Sequence, residues 1–372
     1  MLHLTRENME FIDLKSQQKR IRKDIDARMA KVLDHGQYIL GPEIAELEDK
    51  LAKFVGVKHC ISNSNGTDAL LLPLMAAGIG CEDEVITTPF TFFATGEMIT
   101  LAGARPVLVD IDPNTYNIDA SLIEKAITPK TKAIMPVSLY GQCPDFDVIN
   151  EIASKHKLLV IEDAAQSFGA EYKGKKSCGL SHIAATSFFP SKPLGGYGDS
   201  GACFTNDDQL AKAMKELRVH GQEKRYYHTR IGINGRMDTL QAAILLSKLE
   251  IFPEEVELRK KWGQVYKEML GPNFKTQFIP AGQTSVFAQF TIEVDRREEF
   301  IKRMSELGVP TAVHYPIPLH LQPVYAKLGY KRGDFPFSER AAERVVSLPM
   351  HPYLDEATIS KVVEAVNKSI HG

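Results

Sequence analysis

Three short stretches of the 372-residue chain hold residue types that could act together on one small molecule. The first is Ile161-Glu162-Asp163-Ala164-Ala165-Gln166, where the apolar run Leu158-Leu159-Val160-Ile161 passes straight into acids. Open α/β sheets bind ligands beyond the C-terminal ends of their strands, and Asp163 falls there, although an acid in that place serves equally as a helix cap. The second is Asn63-Ser64-Asn65-Gly66-Thr67-Asp68-Ala69-Leu70, small polar residues joining a strand to a helix. Free N–H groups at a helix start, close approach at Gly66 and the hydroxyl of Thr67 suit a phosphate, and they suit an ordinary helix cap as well. The third is Lys192, set among Ser187-Phe188-Phe189-Pro190-Ser191 and Pro193-Leu194-Gly195-Gly196. Partial desolvation lowers a lysine's pKa and frees its amine as a nucleophile, whereas most lone lysines are surface charges.

Taken together, an anion cradle, a carboxylate and a lysine form the set of partners that pyridoxal 5'-phosphate requires. Its phosphate needs N–H and hydroxyl donors, its aldehyde needs an amine, and its ring nitrogen needs a carboxylate that keeps it protonated as an electron sink.

The elements around these residues alternate between short β-rich runs and helical patterns, the rhythm of parallel βαβ units. Strands are expected at His59–Ser62, Glu84–Thr87, Pro106–Asp110, Ala133–Leu139, Leu158–Asp163, Ala185–Phe189 and Gly201–Thr205. Helices are expected at Asp68–Ala77, Thr91–Leu101, Ser121–Ile127, Phe146–His156 and Gln209–His220, after an amphipathic helix around Ser16 to Leu33. Beyond Asn234 two longer helices, Thr239–Leu249 and Pro253–Leu270, precede a smaller α+β unit with strands Val286–Val294 and Thr311–Tyr315 and helices Arg297–Leu307, Ser338–Val345 and Glu356–Ser369. The junction of the two long helices is the expected domain boundary, giving a large domain over 1–250 and a small one over 251–372.

Composition excludes several classes. With 44% hydrophobic and 25% charged residues the chain is neither disordered nor fibrous. A net charge of -2, without a clustered basic stripe, argues against a nucleic-acid partner. The densest basic run, Lys19, Arg20, Arg22 and Lys23, is followed at once by Asp24 and Asp26 and reads as a solvated helix face. Five scattered cysteines lack a CxxC pair, which fits a reducing cytoplasm and offers no metal site. No window has the length of apolar residues that a membrane span needs.

The motifs Gly36-Gln37-Tyr38-Ile39-Leu40-Gly41-Pro42, Asn65-Gly66-Thr67-Asp68-Ala69-Leu70, Thr88-Pro89-Phe90-Thr91-Phe92, Glu162-Asp163-Ala164-Ala165-Gln166, the Lys192 loop and Asn234-Gly235-Arg236-Met237-Asp238 occur in an order that resembles the DegT/DnrJ/EryC1/StrS sugar aminotransferases. The likeness runs from about Phe11 to the C-terminus, and residues 1–8 precede the usual family start, so no function is assigned to them. It implies the aspartate-aminotransferase fold (PLP fold type I), with a large mostly parallel seven-stranded sheet domain and a smaller α+β C-terminal domain. It further implies that Lys192 joins the cofactor covalently and that Asp163 pairs with the ring nitrogen. Phe92 and Ala165 would lie on the two faces of the ring, and Gln166 would bond the phenolic oxygen. Gly66, Thr67 and Ser187 would hold the phosphate, completed by an Asn from a second subunit at the position of Asn234, in a homodimer. Phe92 stands where relatives often carry Tyr or Trp, which keeps stacking and removes a hydrogen bond. Family dehydratases replace the lysine by His, so Lys192 favours transamination over dehydration, and a regulatory protein on the same fold would need none of these groups.

The substrate is less directly written. Pro136–Cys143, Ser187–Gly195 and His314-Tyr315-Pro316-Ile317-Pro318-Leu319 resemble family members acting on UDP-2-acetamido-2-deoxy-3-oxo-glucuronate, with L-glutamate as donor. Another nucleotide-linked 3-oxo or 4-oxo sugar is the alternative. Substrate carboxylates call for cations or hydrogen-bond donors. Arg236 is the first candidate, against a plain surface arginine, and His314 and Tyr315 are next, against simple packing beside Pro316 and Pro318.

Overall fold

The computed structural model describes residues 9–371, so the opening segment 1–8 lies outside the described residues. Seven strands form one sheet, in the order β1 (His59–Asn63), β7 (Gly201–Thr205), β6 (Ile183–Ser187), β5 (Leu159–Asp163), β4 (Thr131–Ile134), β2 (Glu84–Thr87) and β3 (Arg105–Leu108). Strand β7 runs antiparallel to both its neighbours and every other pairing is parallel. The parallel strands therefore end at a common edge, where Asn63, Thr87, Asp163 and Ser187 stand.

Side chains along a strand point alternately to the two faces, and here both faces are covered. Ile61, Val85, Ala133, Ile161 and Ile183 pack against α3 (Gly66–Ala76), α4 (Phe93–Leu101) and α6 (Asp208–Leu217). Their neighbours Cys60, Ile86, Ile134, Val160 and Ala184 pack against α2 (Pro42–Val55), α5 (Phe146–His156) and the first half of α7 (Thr239–Leu270). An aromatic cluster lies beneath the site on this second face: Phe168 sits 5.3 Å from Phe54, 5.7 Å from Phe188, 5.9 Å from Phe204 and 5.6 Å from Phe252. Phe168 follows the Asp163 loop and Phe188 opens the Lys192 loop, so burial of these rings anchors both.

Several expected elements differ. Helix α1 (Leu14–His35) contains the expected Ser16–Leu33, while α2 is an additional helix, marked by Pro42 just inside its start, Gly56 in a left-handed conformation just past its end, and the spacing of Ile44, Leu47 and Leu51. Strand β4 stops at Ile134 rather than Leu139, because the chain turns across the strand ends at Leu139–Gly141, with Tyr140 at φ 59°. Strand β6 lies two residues earlier than expected, its register fixed by pairing Ile183 with Thr205 and Ser187 with Gly201. No break occurs at Pro253: α7 is one helix of 32 residues containing it. Proline removes one helical hydrogen bond, and burial of Phe252 and Val256 on either side outweighs that loss. The expected domain line thus falls inside a helix whose first half packs on the large sheet and whose second half, through Trp262, Tyr266 and Leu270, packs in a separate core.

That second core is built on β8 (Phe290–Glu293) paired antiparallel with β9 (Val345–Leu348), flanked by α8 (Arg297–Glu306) and α10 (Glu356–His371), while α9 (Pro336–Arg344) packs through Ala341 and Ala342 in a cluster with Phe90, Tyr116 and Tyr140. The expected strand Thr311–Tyr315 is reduced to one bridge between Ala312 and Ser347, the chain there being occupied in reaching back to the sheet edge. Leu319 N–H donates to Pro89 O at 2.8 Å. Asp110, just past β3, caps the first turn of α9, accepting from Phe337 N at 3.0 Å and Ser338 N at 2.9 Å. A buried acid thus bolts the C-terminal part to the sheet. Asp110→Ala should lower stability by about 1–3 kcal/mol, seen as an earlier urea midpoint; an unchanged midpoint would show that the cap carries no load.

Candidate active site

Asp163 is the last residue of β5 and lies on the face covered by α4. Its side chain is buried, with Oδ2 accepting from Thr95 Oγ1 at 2.8 Å and Oδ1 from Ala165 N at 3.2 Å. Burial pushes this carboxyl up from the usual range, opposed by the Thr95 and Ala165 bonds and by the charge of Lys192. Lys192 stands in the loop after β6, a turn closed by Lys192 N to Phe189 O at 2.8 Å and Gly196 N to Phe188 O at 2.7 Å. Burial pushes its amine down from the ordinary lysine value, with Asp163 opposing. No carboxylate of the described residues lies within 4.0 Å of it. An ammonium without a paired acid in a desolvated setting loses its proton more readily, which is what imine formation and proton transfer need.

The second stretch forms a cradle. Asn65 caps α3 by accepting from Asp68 N at 2.7 Å, so Gly66 and Thr67 occupy the first turn, where a helix offers their N–H groups no acceptor. A Cβ at Gly66 would come within 2.5 Å of Ser187 Cβ and 2.9 Å of Ser187 Oγ. This close approach brings the Gly66-Thr67 turn against the end of β6, so that N–H and hydroxyl donors converge there.

Over this edge lie aromatic and amide groups. Phe92 caps α4 with its ring half exposed, 5.7 Å from the Tyr315 ring. Gln166 is buried, its Oε1 accepting from Tyr140 N at 2.7 Å and its Nε2 donating to Tyr315 OH at 2.9 Å. Because the amide oxygen is taken by a backbone N–H, the amide nitrogen must face the cleft as a donor. His314 shares a hydrogen bond of 2.9 Å between Nδ1 and Ser347 Oγ, and its backbone O accepts from Tyr140 OH. Burial and the charge of Lys192 hold its imidazole down to about 4. It is therefore neutral near pH 7 and can meet a substrate only by hydrogen bonding, never as the cation considered for a carboxylate.

The sequence candidates thus divide. Asp163, Lys192, Gln166, Tyr315, Phe92 and His314 are linked by contacts or mutual electrostatic influence, Ala165 donates to Asp163, and Gly66 meets Ser187. Asn234 is exposed, and Arg236 is half-buried with Nε lacking an acceptor; neither touches that set. They flank Gly235, whose O accepts from Ser64 N at 2.9 Å beside the cradle. Three residues escaped the sequence reading as participants: Thr95, Tyr140 and Glu162. Glu162 faces away from Asp163 and accepts from Ser138 Oγ, Ser177 Oγ and Cys178 N, fixing the turns on that side. Only the acid's place in the motif signalled it; nothing local marks the other two. A hollow of about 390 Å³ between Lys275, Glu293, Arg340 and Arg344 shares no residue with this set, and Glu293 pairs with its cations.

The residues present fit pyridoxal phosphate: an unpaired, partly buried amine, a buried carboxylate, a ring that can stack and a donor-lined cradle with no room for a side chain at Gly66. Gly66→Ala should weaken pyridoxal phosphate binding at least about tenfold, by displacing the N–H groups from the phosphate. Spectrophotometric titration of the apoprotein checks this, and parental affinity would remove the cradle from consideration.

Known proteins share this sequence and fold. The family model for the DegT/DnrJ/EryC1/StrS aminotransferase family matches residues 19–367. The chain is 60% identical to the UDP-2-acetamido-2-deoxy-3-oxo-D-glucuronate aminotransferase of Pseudomonas aeruginosa, over 96% of this chain and 99% of that one. It is 46% identical to a pleiotropic regulatory protein of Geobacillus stearothermophilus, over 96% and 98% of the two chains. A crystal structure of a DegT DnrJ EryC1 StrS aminotransferase from Brucella abortus superposes with a TM-score of 0.94 at 43% identity, covering 98% of this chain and 100% of that one. Similar solved structures include forms with pyridoxal phosphate and with its aminated form, PMP. With both its sequence and its fold matched over nearly their whole length, the chain belongs to the DegT/DnrJ/EryC1/StrS aminotransferase family.

Proposed function

We propose that this protein transfers an amino group from L-glutamate to a UDP-linked 3-oxo sugar, UDP-2-acetamido-2-deoxy-3-oxo-glucuronate, to supply an amino sugar for surface polysaccharide of the O-antigen or lipopolysaccharide type. It does so in the cytoplasm, as a homodimer. The observation that carries the reading is the unpaired Lys192 amine beside the buried Asp163 at the sheet edge. The 60% identity to the Pseudomonas aeruginosa enzyme supports the choice of sugar.

Bound pyridoxal phosphate supplies an electron sink for the carbon that loses its proton. Asp163 would hold the ring nitrogen protonated, while Gln166 Nε2 would donate to the phenolic oxygen. Phe92 would stack on one face and Ala165 would bound the other. Gly66, Thr67 and Ser187 would bind the phosphate, and residues 1–250 carry all these groups. Lys192, once its amine is free, takes the proton from the donor Cα and returns one in the second half of the reaction, so the kinetics are ping-pong. Segment 251–372 adds Tyr315 and His314, both hydrogen-bonding groups for the sugar.

Exposed apolar side chains support the dimer. In the single chain Tyr38, Ile39, Leu40, Tyr226, Tyr227 and Ile231 are exposed, and Ile39 bridges to Asp238 near Asn234. Apolar side chains gathered beside a functional turn fit a surface covered by a second copy, which brings Asn234 and Arg236 to the partner's cradle. Lys192→Ala and Asn234→Ala homodimers should each be nearly inactive, yet mixed and re-equilibrated they should regain about a quarter of the parental sites, because half the dimers hold one intact site. No recovery would place both residues in the same subunit's site.

Incubation with glutamate and a panel of UDP-linked keto sugars, read by mass spectrometry, tests the substrate directly. The amino product should form from the 3-oxo uronic acid; amination of only a 4-oxo sugar would sink the proposal. Arg236→Ala should raise KM for the uronic acid about 10- to 100-fold, with a much smaller effect on a 3-oxo sugar lacking the carboxylate. Equal effects on both would assign carboxylate recognition elsewhere.

A further inference from the structure

We propose that Thr95 is a positioning residue for the reaction, its hydroxyl fixing the rotation and the ionised state of the Asp163 carboxylate. The inference rests on the role given above to Asp163 and goes beyond it, since Thr95 would touch neither cofactor nor substrate. Phe92 caps α4, and Thr95 lies one turn on, so one helix end delivers both the stacking ring and the hydroxyl that meets the acid.

The direction of the hydrogen bonds is determined. Thr95 Oγ1 gives its only hydrogen to Asp163 Oδ2 at 2.8 Å. The 2.9 Å contact between Thr91 Oγ1 and Thr95 Oγ1 must therefore be donated by Thr91. All three side chains are buried, with Thr95 at 0% exposure. A donated bond polarises the hydroxyl that receives it, so Thr91 strengthens the bond from Thr95 to the acid. Ala165 N satisfies the other oxygen, and the carboxylate is held at both ends by donors alone.

Such an arrangement favours the anion. Burial by itself works the other way and would protonate Asp163, which would then no longer hold a proton on the ring nitrogen. The other ionisable groups around Asp163 are Lys192 from the loop after β6, Glu162 on its own strand, and Tyr315 and His314 from the C-terminal segment. Of these only Lys192 can favour the anion by its charge, and it does so without a direct bond. Of the two donors that touch the carboxylate, the Thr95 hydroxyl makes the shorter bond, 2.8 Å against 3.2 Å for Ala165 N.

Thr95→Val keeps the shape and removes the hydrogen bond; Thr95→Ser keeps the bond and removes the methyl. In the first variant the apoprotein should bind pyridoxal phosphate about tenfold more weakly, in line with loss of a hydrogen bond to a charged group. The acid-side midpoint in the absorbance titration of the holoprotein should move to higher pH, because a bond to the ionised form has gone. Thr95→Ser should restore both properties, and Thr91→Val should shift both in the same direction by less. Parental binding and midpoint in Thr95→Val, or a Thr95→Ser protein that behaves like it, would overturn the proposal. If Thr95→Val does not accumulate folded, the other two variants decide, and a parental midpoint in Thr91→Val together with an altered one in Thr95→Ser rejects the role. Covalent cofactor attachment persisting in Lys192→Ala would instead reject the reading of the site as a whole, so the two failures are distinguishable.

Discussion

A carboxylate buried at the end of a central strand is expensive unless donors surround it, and the site is organised around meeting that demand for Asp163. The strand order puts β5 between β4 and β6, so its end is reached by α4 from one direction and by the Lys192 loop from another. Each neighbour answers the buried charge differently: Thr95 and Ala165 by hydrogen bonds, Lys192 by its positive form. The same burial lowers the proton affinity of Lys192. Desolvation therefore readies the amine of Lys192 for deprotonation, while the Thr95 and Ala165 donors keep Asp163 an anion in the same surroundings, as transamination requires.

Rigidity at this edge comes from below. Phe168 and Phe188, each a few residues from a working side chain, pack with Phe54, Phe204 and Phe252 under the sheet. Aromatic rings offer large buried area and few rotamers, so they hold the loops above them in addition to the loops' own backbone hydrogen bonds. Glu162 adds polar ties on that face through Ser138, Ser177 and Cys178. Ser138 in turn precedes the Tyr140 turn, whose N–H orients Gln166. The two adjacent acids thus do separate work because strand alternation sends them to opposite faces.

The C-terminal part reaches the same edge through ties rather than through a broad sheet. Asp110 caps α9, Leu319 donates to Pro89, and Tyr116 OH donates to Glu293 at 2.8 Å. Helix α7 runs through both cores and makes them one structure. These links hold Tyr315 and His314 over the cleft, where their neutral polar groups suit a sugar better than a carboxylate.

The sequence alone carried the alternation of strands and helices, the acid at the end of β5, the glycine cradle and the lysine loop, because each depends on local chemistry: hydrophobic period, turn residues and strand-end polarity. It also carried the family, through several ordered motifs. Helix α2 is likewise marked locally, by its Pro and Gly punctuation and its apolar spacing. Other features depended on distant partners. Continuity of α7 through Pro253 is set by packing on two cores, which no local pattern around a proline announces. The shift of β6 came from its antiparallel partner β7. Thr95 reads as an ordinary helix residue until Asp163, distant in the chain, is brought beneath it. Residue types and spacing thus determined which chemistry the chain can do, while only the tertiary structure decided how Asp163 is kept ready for it, because a buried charge is governed by whichever groups the fold packs against it.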